Sequence, residues 1–219
     1  MSLLDALRNE REEQERARRI NGVMVGIVTN NQDPDGLGRV KVRLPWLSDT
    51  NESSWSRLCS FMAGKDRGGF FLPEVGDEVL VAFENGDINR PIVLGALWNG
   101  VDTPPETNSD GKNNVRKIKS RSGHEIIFHD DSGQEKLEIH TQAGHSLVLD
   151  DSSGSEKITV NDKSGSNSIV FDSAQGSITV ESGTKLKIKS QMVEIESGGT
   201  MTIKAGATLT LKGAVVQIN

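Results

Sequence analysis

Residues 124–180 read HEIIFHDDSGQEKLEIHTQAGHSLVLDDSSGSEKITVNDKSGSNSIVFDSAQGSITV. One short phrase recurs through this stretch: an apolar-x-apolar strand followed by a turn of Gly, Ser or Asp. The phrase runs on to residue 218 and gives eleven pairs: Ile126/Phe128, Leu137/Ile139, Leu147/Leu149, Ile158/Val160, Ile169/Phe171, Ile178/Val180, Leu186/Ile188, Val193/Ile195, Met201/Ile203, Leu209/Leu211 and Val216/Ile218. Successive pairs are 11, 10, 11, 11, 9, 8, 7, 8, 8 and 7 residues apart, so each repeat shortens toward the C-terminus. A ladder of this kind builds a tapering shaft rather than a pocket.

Between and beside the pairs stand polar residues, among them Glu138, Thr159, Thr179, Lys187, Glu194, Thr202, Thr210 and Gln217. Each strand therefore has one dry and one wet face. Strands this short cannot enclose a core within one chain, and a single flat ladder leaves its apolar face open. Three chains wound about one axis close it, with the twenty-two inward residues filling the centre and the Gly and Ser turns making the corners. At one strand layer per 4.8 Å the shaft is on the order of 50 Å long. A single-chain β-helix is the competing arrangement, but its coils need more residues than these repeats supply. The ladder stops at Ile218 and Asn219 without a blocking loop, and exposed strand ends invite another chain. The residues Val215, Val216, Gln217, Ile218 and Asn219 are thus expected to seat a cap.

The chain has 219 residues, 34% of them hydrophobic, and a formal net charge of -6. Nucleic acid is excluded as the expected partner, because phosphate binding depends on clustered Lys and Arg. The single cysteine, Cys59, rules out an internal disulfide and is expected to be a buried, inert thiol. The opening MSLLDALRNEREEQERARR lacks the apolar core of a signal peptide, and no run approaches a membrane span, so assembly in the cytoplasm is expected. Organisation is expected as an N-terminal arm or helix at 1–20, a barrel at 21–100, a linker at 101–115 and the shaft at 116–219. In the barrel region the segments VMVGIV, RVKVRLPWL, WSRLCSFMA, DEVLVAFE and PIVLGALW alternate with period two. Five such strands in some 80 residues predict a small barrel of the OB type, so the fold class is all-β, OB barrel followed by an intertwined trimeric β-helix.

Two regions together resemble the baseplate central spike family, the phage baseplate assembly protein V and VgrG group. The carrying motifs are GRVKVRLPW at 38–46, SSWSRLCSFMAG at 53–64, GGFFLPEVGDEVLVAFENGDINRPIVLGALWN at 68–99, and the ladder after them. The resemblance implies an OB collar, a homotrimeric needle, a trimeric hub protein at the wide end, a PAAR-type cap at the tip and transient contact with a target envelope. It places the particle in a phage tail, an R-type pyocin or an extracellular contractile injection system. Leu3, Leu4 and Leu7 of the arm are the expected hub contacts. Two departures stand out: some 20 residues precede the barrel, where VgrG proteins carry a hub-like domain, and the linker has no room for a lysozyme-like domain. A separate hub chain is therefore expected.

Candidate chemistry is sparse. His124, His129, His140 and His145 fall in the first three repeats and would each occur three times in a trimer. By parity His124 and His145 share the inward side and could hold an ion on the axis, while His129 and His140 face out. Solvated histidines are the default expectation, and no metal or cofactor is assigned. Asp130, Asp131, Asp150, Asp151, Asp162 and Asp172 precede turns, but the GGxGxD phrase of calcium rolls is missing, so they are expected to accept hydrogen bonds from turn amides. Trp46, Trp55, Trp98, Phe61, Phe70, Phe71 and Phe83 could form a stacking platform. Without interleaved cations, core and collar packing is the simpler expectation. No Ser/His/Asp set or paired carboxylates can be identified, so a non-enzymatic spike is expected. A glycan-binding or cell-wall-hydrolysing tail protein is the alternative, and a trimeric surface adhesin a third.

Overall fold

The computed structural model describes residues 19–218. The chain divides into two compact units, Met1–Thr107 and Asn108–Asn219. Among the described residues the only helical element is a 3-10 turn, Glu84–Gly86.

Alternation builds the first unit. Its strands are β1 (Val23–Asn30), β2 (Lys41–Arg43), β3 (Arg57–Leu58), β4 (Ala63–Gly64), β5 (Arg67–Gly68), β6 (Glu78–Phe83) and β7 (Pro91–Ala96). In β6 every second residue, Val79, Val81 and Phe83, is buried while its neighbours are half-buried. β1 pairs antiparallel with β2 and β6, β6 pairs antiparallel with β7, and β3 runs parallel to β7. Bridges from Val40 to Ser56 and Arg43 to Glu52 join the segment before β3 to that around β2. The sheet thus closes on itself in the order β1, β2, β3, β7, β6, the connectivity of a five-stranded OB barrel. Val28, Val40, Val42, Leu44, Val79, Val81, Phe83 and Val93 fill it. Each buried valine contributes about 1.5 kcal/mol or more. Ser56 is the buried polar exception; its hydroxyl donates to the Ser54 carbonyl at 3.1 Å.

Two expected strands are shorter than their alternation suggests. RVKVRLPWL is regular only at Lys41–Arg43, because Pro45 has no N–H to give and the Leu44 carbonyl instead accepts from Leu47 and Ser48. WSRLCSFMA is regular only at Arg57–Leu58; after the Cys59 amide donates to the Val93 carbonyl, the chain leaves the barrel for the β4–β5 hairpin. Cys59 is consequently exposed, which overturns its expected burial. The aromatics also depart from expectation. Phe83 is core, but Phe61, Phe70, Phe71, Trp46 and Trp98 lie at the surface and Trp55 is half-buried. A barrel this small is already filled by branched aliphatics, and most of these rings sit in the 61–71 hairpin and the loops.

The second unit is an antiparallel meander of seven strands in sequence order: β8 (Val115–Lys119), β9 (Glu125–His129), β10 (Lys136–His140), β11 (Ser146–Asp150), β12 (Lys157–Asn161), β13 (Asn167–Asp172) and β14 (Ser177–Ser182). β8 escaped the repeat because VRKIK offers only Ile118 to the apolar face, with Arg116 opposite Phe128. Turns such as that at Gly144, with φ of 98°, demand a backbone that L side chains rarely adopt. These strands pair within one chain, unlike the expected intertwined ladder. From residue 183 to 218 no strand pairing is present.

The absence of pairing there leaves the apolar pairs of this segment uncovered in the single chain. Leu186, Ile188, Val193, Ile195, Met201, Ile203, Leu209, Leu211, Val216 and Ile218 were expected to face the axis of a three-chain shaft, and in the single chain all are exposed. Ile188, Ile195, Ile203 and Leu211, the second members of their pairs, keep 71%, 73%, 63% and 64% of their surface, more than the first member of each pair keeps. The physical reason is that a side chain is enclosed only when a neighbouring strand holds its backbone in register and another layer packs on its face. Residues 183–218 have neither in one chain.

Candidate functional site

Register converts the repeat into a surface. Leu137 stands opposite Phe128 and Leu149, and Ile139 opposite Ile126 and Leu147. Ile158 faces Leu149 and Phe171; Val160 faces Leu147 and Ile169. Val180 and Ile178 extend the rows against Ile169 and Phe171. The result is two unbroken apolar columns, six side chains each from β9 to β14, on one face of the sheet. Nothing among the described residues covers them: Ile126 retains 36% exposure, Phe171 41% and Val180 50%. Leu186 joins Ile139, Leu147, Val160, Ile169 and Val180 along one trough of this face.

On β8–β10 the opposite face is closed by its own polar side chains. There Ile127 of β9 is buried. Its register partners are Lys117 on β8 and Glu138 on β10. Lys117 and Lys119 reach Glu125 at 3.6 and 2.8 Å. The Glu138 carboxylate takes Lys136 and His140, each at 2.9 Å. Burial pushes the Glu138 carboxyl up, but hydrogen bonds from Lys136 and His140, with the charges of Lys136 and His129, outweigh it and hold the group at about 2. His129 Nε2 lies 3.5 Å from the same carboxylate, buried and without a hydrogen-bond partner. Over β8–β10 the polar face is therefore satisfied by its own ion pairs, whereas the apolar columns have no cover.

The histidines divide between these environments. His129 and His140 lie on the polar face with Glu138. His124 and His145 sit in hairpin turns, where Nδ1 of each accepts a backbone amide from a turn further along, Gln142 at 3.3 Å and Lys163 at 3.2 Å. His145 also borders the apolar trough. Among the described residues no group of three His, Cys, Asp or Glu side chains is placed to hold a metal. The aspartates act on turns: the Asp150 carboxylate accepts the Ser152 amide, and that of Asp162 accepts the Ser164 hydroxyl and the Asn167 side-chain amide.

Residues 183–218 keep the repeat in sequence, so the apolar spacing of the two columns continues past β14 on a segment whose side chains are uncovered. The expected cap residues Val215, Val216, Gln217 and Ile218 are exposed as well. Asn219 and the expected hub contacts Leu3, Leu4 and Leu7 lie outside the described residues. Ile118, which lengthens one apolar column, is the residue the sequence repeat missed; its pairing with Ile126 reveals it. No helix among the described residues is long and apolar enough to cross a membrane.

Residues 24–98 match the family described as the type VI secretion system/phage-baseplate injector OB domain. The chain is 35% identical over 133 residues to the type VI secretion system spike protein VgrG3 of Vibrio cholerae, covering 55% of this chain and 13% of that protein. It is 37% identical over 117 residues to the spike protein VgrG1a of Pseudomonas aeruginosa, covering 48% and 18% respectively. It is also 32% identical over 151 residues to a V. cholerae protein named actin cross-linking toxin VgrG1, of which 14% is covered. The chain thus spans less than a fifth of the length of each of these relatives.

Proposed function

We propose, starting from a barrel that is an injector OB domain of the type VI secretion system/phage-baseplate kind in a chain that resembles VgrG spike proteins, that this protein is the central spike of a contractile injection machine. The observation that carries the proposal is the pair of uncovered apolar columns on β9–β14.

A strip two side chains wide suits threefold assembly. Two strips laid face to face leave both margins wet, whereas three inclined about an axis meet along their edges and dry every column. The residues beyond Ser182 fit the same scheme. Intrachain hairpins stop where the step between pairs falls to seven or eight residues, too few for another five-residue strand and a turn of the kind used in β9–β14. Backbone groups in 183–218 then find partners in the other two chains. The same interleaving encloses Ile188, Ile195, Ile203 and Leu211, which one chain leaves open. Three chains so wound give a stiff, narrow shaft, and the work it does is mechanical. Sheath contraction drives the shaft through the target envelope, with the barrel end held on a trimeric hub through Leu3, Leu4 and Leu7 and a PAAR-type cap on Val215–Asn219. The spike is assembled in the cytoplasm and resides in the baseplate.

Light scattering on the purified chain tests this directly. A species of three times 23.7 kDa is expected. A monomer at micromolar concentration overturns the assembly and the function built on it.

A further inference from the structure

The barrel carries a second surface feature, separate from the shaft strands. A cleft of about 500 Å³ is lined by Leu37, Trp55, Arg57, Glu84, Arg90 and Ile92, among others. Arg57 on β3 and Arg90 in the turn before β7 converge on one carboxylate oxygen, Glu84 Oε2, at 3.4 and 3.0 Å. Both guanidinium side chains are more than half exposed, at 68% and 57%. One carboxylate cannot neutralise two guanidinium groups, so the fork keeps an excess positive charge. Each group also carries five N–H donors, more than a single shared oxygen can engage.

The third arginine of the cleft is committed elsewhere. Asp33 grips Arg39 through Nε at 2.8 Å and Nη2 at 2.7 Å, and Asp35 binds Nη2 as well. So fixed, Arg39 stands 6.0 Å from the Trp55 ring centroid, and Lys41 stands 5.5 Å from it. An apolar rim completes the site. Leu37 is exposed, and the Phe70 ring packs on the same turn, its edge 3.6 Å from where a side chain at Gly38 would begin.

We propose that this cleft docks an acidic amphipathic segment of a partner protein, with carboxylates on Arg57 and Arg90 and an apolar side chain on Leu37 and Phe70. A sugar or nucleobase wants an open aromatic face, and Trp55 already has cations against its ring. A carboxylate fits the planar guanidinium pair, and the exposed Leu37 and Phe70 reward an apolar neighbour. The proposal concerns the barrel alone and does not depend on the spike assembly.

The test titrates the full-length protein with the blocked peptide LEELLE, followed by calorimetry and tryptophan fluorescence at low and physiological salt. Saturable binding that weakens with salt is expected. R57Q and R90Q should each reduce affinity about tenfold or more, F70S should reduce it also, and E84Q should raise it by removing the internal competitor. The melting curves and solution mass of R57Q and R90Q should match the parent. Several outcomes overturn the proposal: no saturation at millimolar peptide, unchanged binding by an R57Q/R90Q double variant, equal binding of the Lys-for-Glu peptide, or preference for a thymidine oligonucleotide. Loss of the native oligomer in R57Q overturns it too, since the fork would then join copies of this chain.

Discussion

Replacing Ile169 with Asp isolates the proposed dry axis. Ile169 stands in register between Val160 and Val180 and keeps 40% of its surface exposed in the single chain. Full burial of such a side chain is worth about 1.5–3 kcal/mol, so the remaining two fifths contribute roughly 1 kcal/mol per chain on assembly, about 3 for three chains. The substitution removes that gain and brings three carboxylates onto one axis, each costing several kcal/mol when desolvated without a partner. The sum is on the order of 10 kcal/mol or more, against about 8 kcal/mol for a micromolar association. I169D should therefore be monomeric by light scattering at pH 8. Burial raises a carboxyl's pKa, so the penalty is complete above the raised value and vanishes below the unperturbed value near 4. Trimers should accordingly return at pH 3. T179D, on the opposite and exposed face between Ile178 and Val180, serves as the control and should keep the parent mass. A stable I169D trimer at pH 8 refutes the threefold core.

Further outcomes follow from single residues. Val81, fully buried in the barrel, should cost about 2 kcal/mol when cut to Ala, read as a lower urea midpoint with unchanged slope. Glu138 is held at about 2, below the 4.5 of a free carboxyl, so its stabilisation is present above pH 4.5 and fades as pH falls toward 2. E138Q should lower the melting temperature at pH 7 and bring parent and variant curves together near pH 2; parallel curves across that range count against the cluster. Cys59 is exposed and should react stoichiometrically with a thiol reagent in the native protein, and protection until denaturation would contradict the barrel's short β3. G144V places a branched residue at φ of 98° and should cost about 1–2 kcal/mol in thermal unfolding.

The barrel and the meander strands were largely legible because both rest on alternation. Val79, Val81 and Phe83 are read as one face from sequence alone, and so are Ile169 and Phe171. What alternation cannot report is where a strand stops being held. Pro45 ends one ladder and the departure after Cys59 ends another, leaving a thiol and several aromatic rings at the surface. The same limit applies to Ile188, Ile195, Ile203 and Leu211: their spacing marks them as one face, yet in one chain no paired strand holds that face against a core. β8 was hidden for the complementary reason, since Arg116 occupies an inward position and breaks the pattern.

The sequence by itself determined which side chains share a face, because successive residues of any strand point to opposite sides. It also determined the shrinking step of the repeat. Only the tertiary structure decided that β8–β14 pair with their neighbours in the same chain, that pairing ends at Ser182, and that Lys136, His129 and His140 gather around Glu138. The same is true of Arg57 and Arg90 meeting at Glu84 across 27 and 6 positions of chain. Alternation is a property of one strand's backbone, whereas partners, register and charge clusters depend on which distant segments the closed barrel and the folded meander bring side by side.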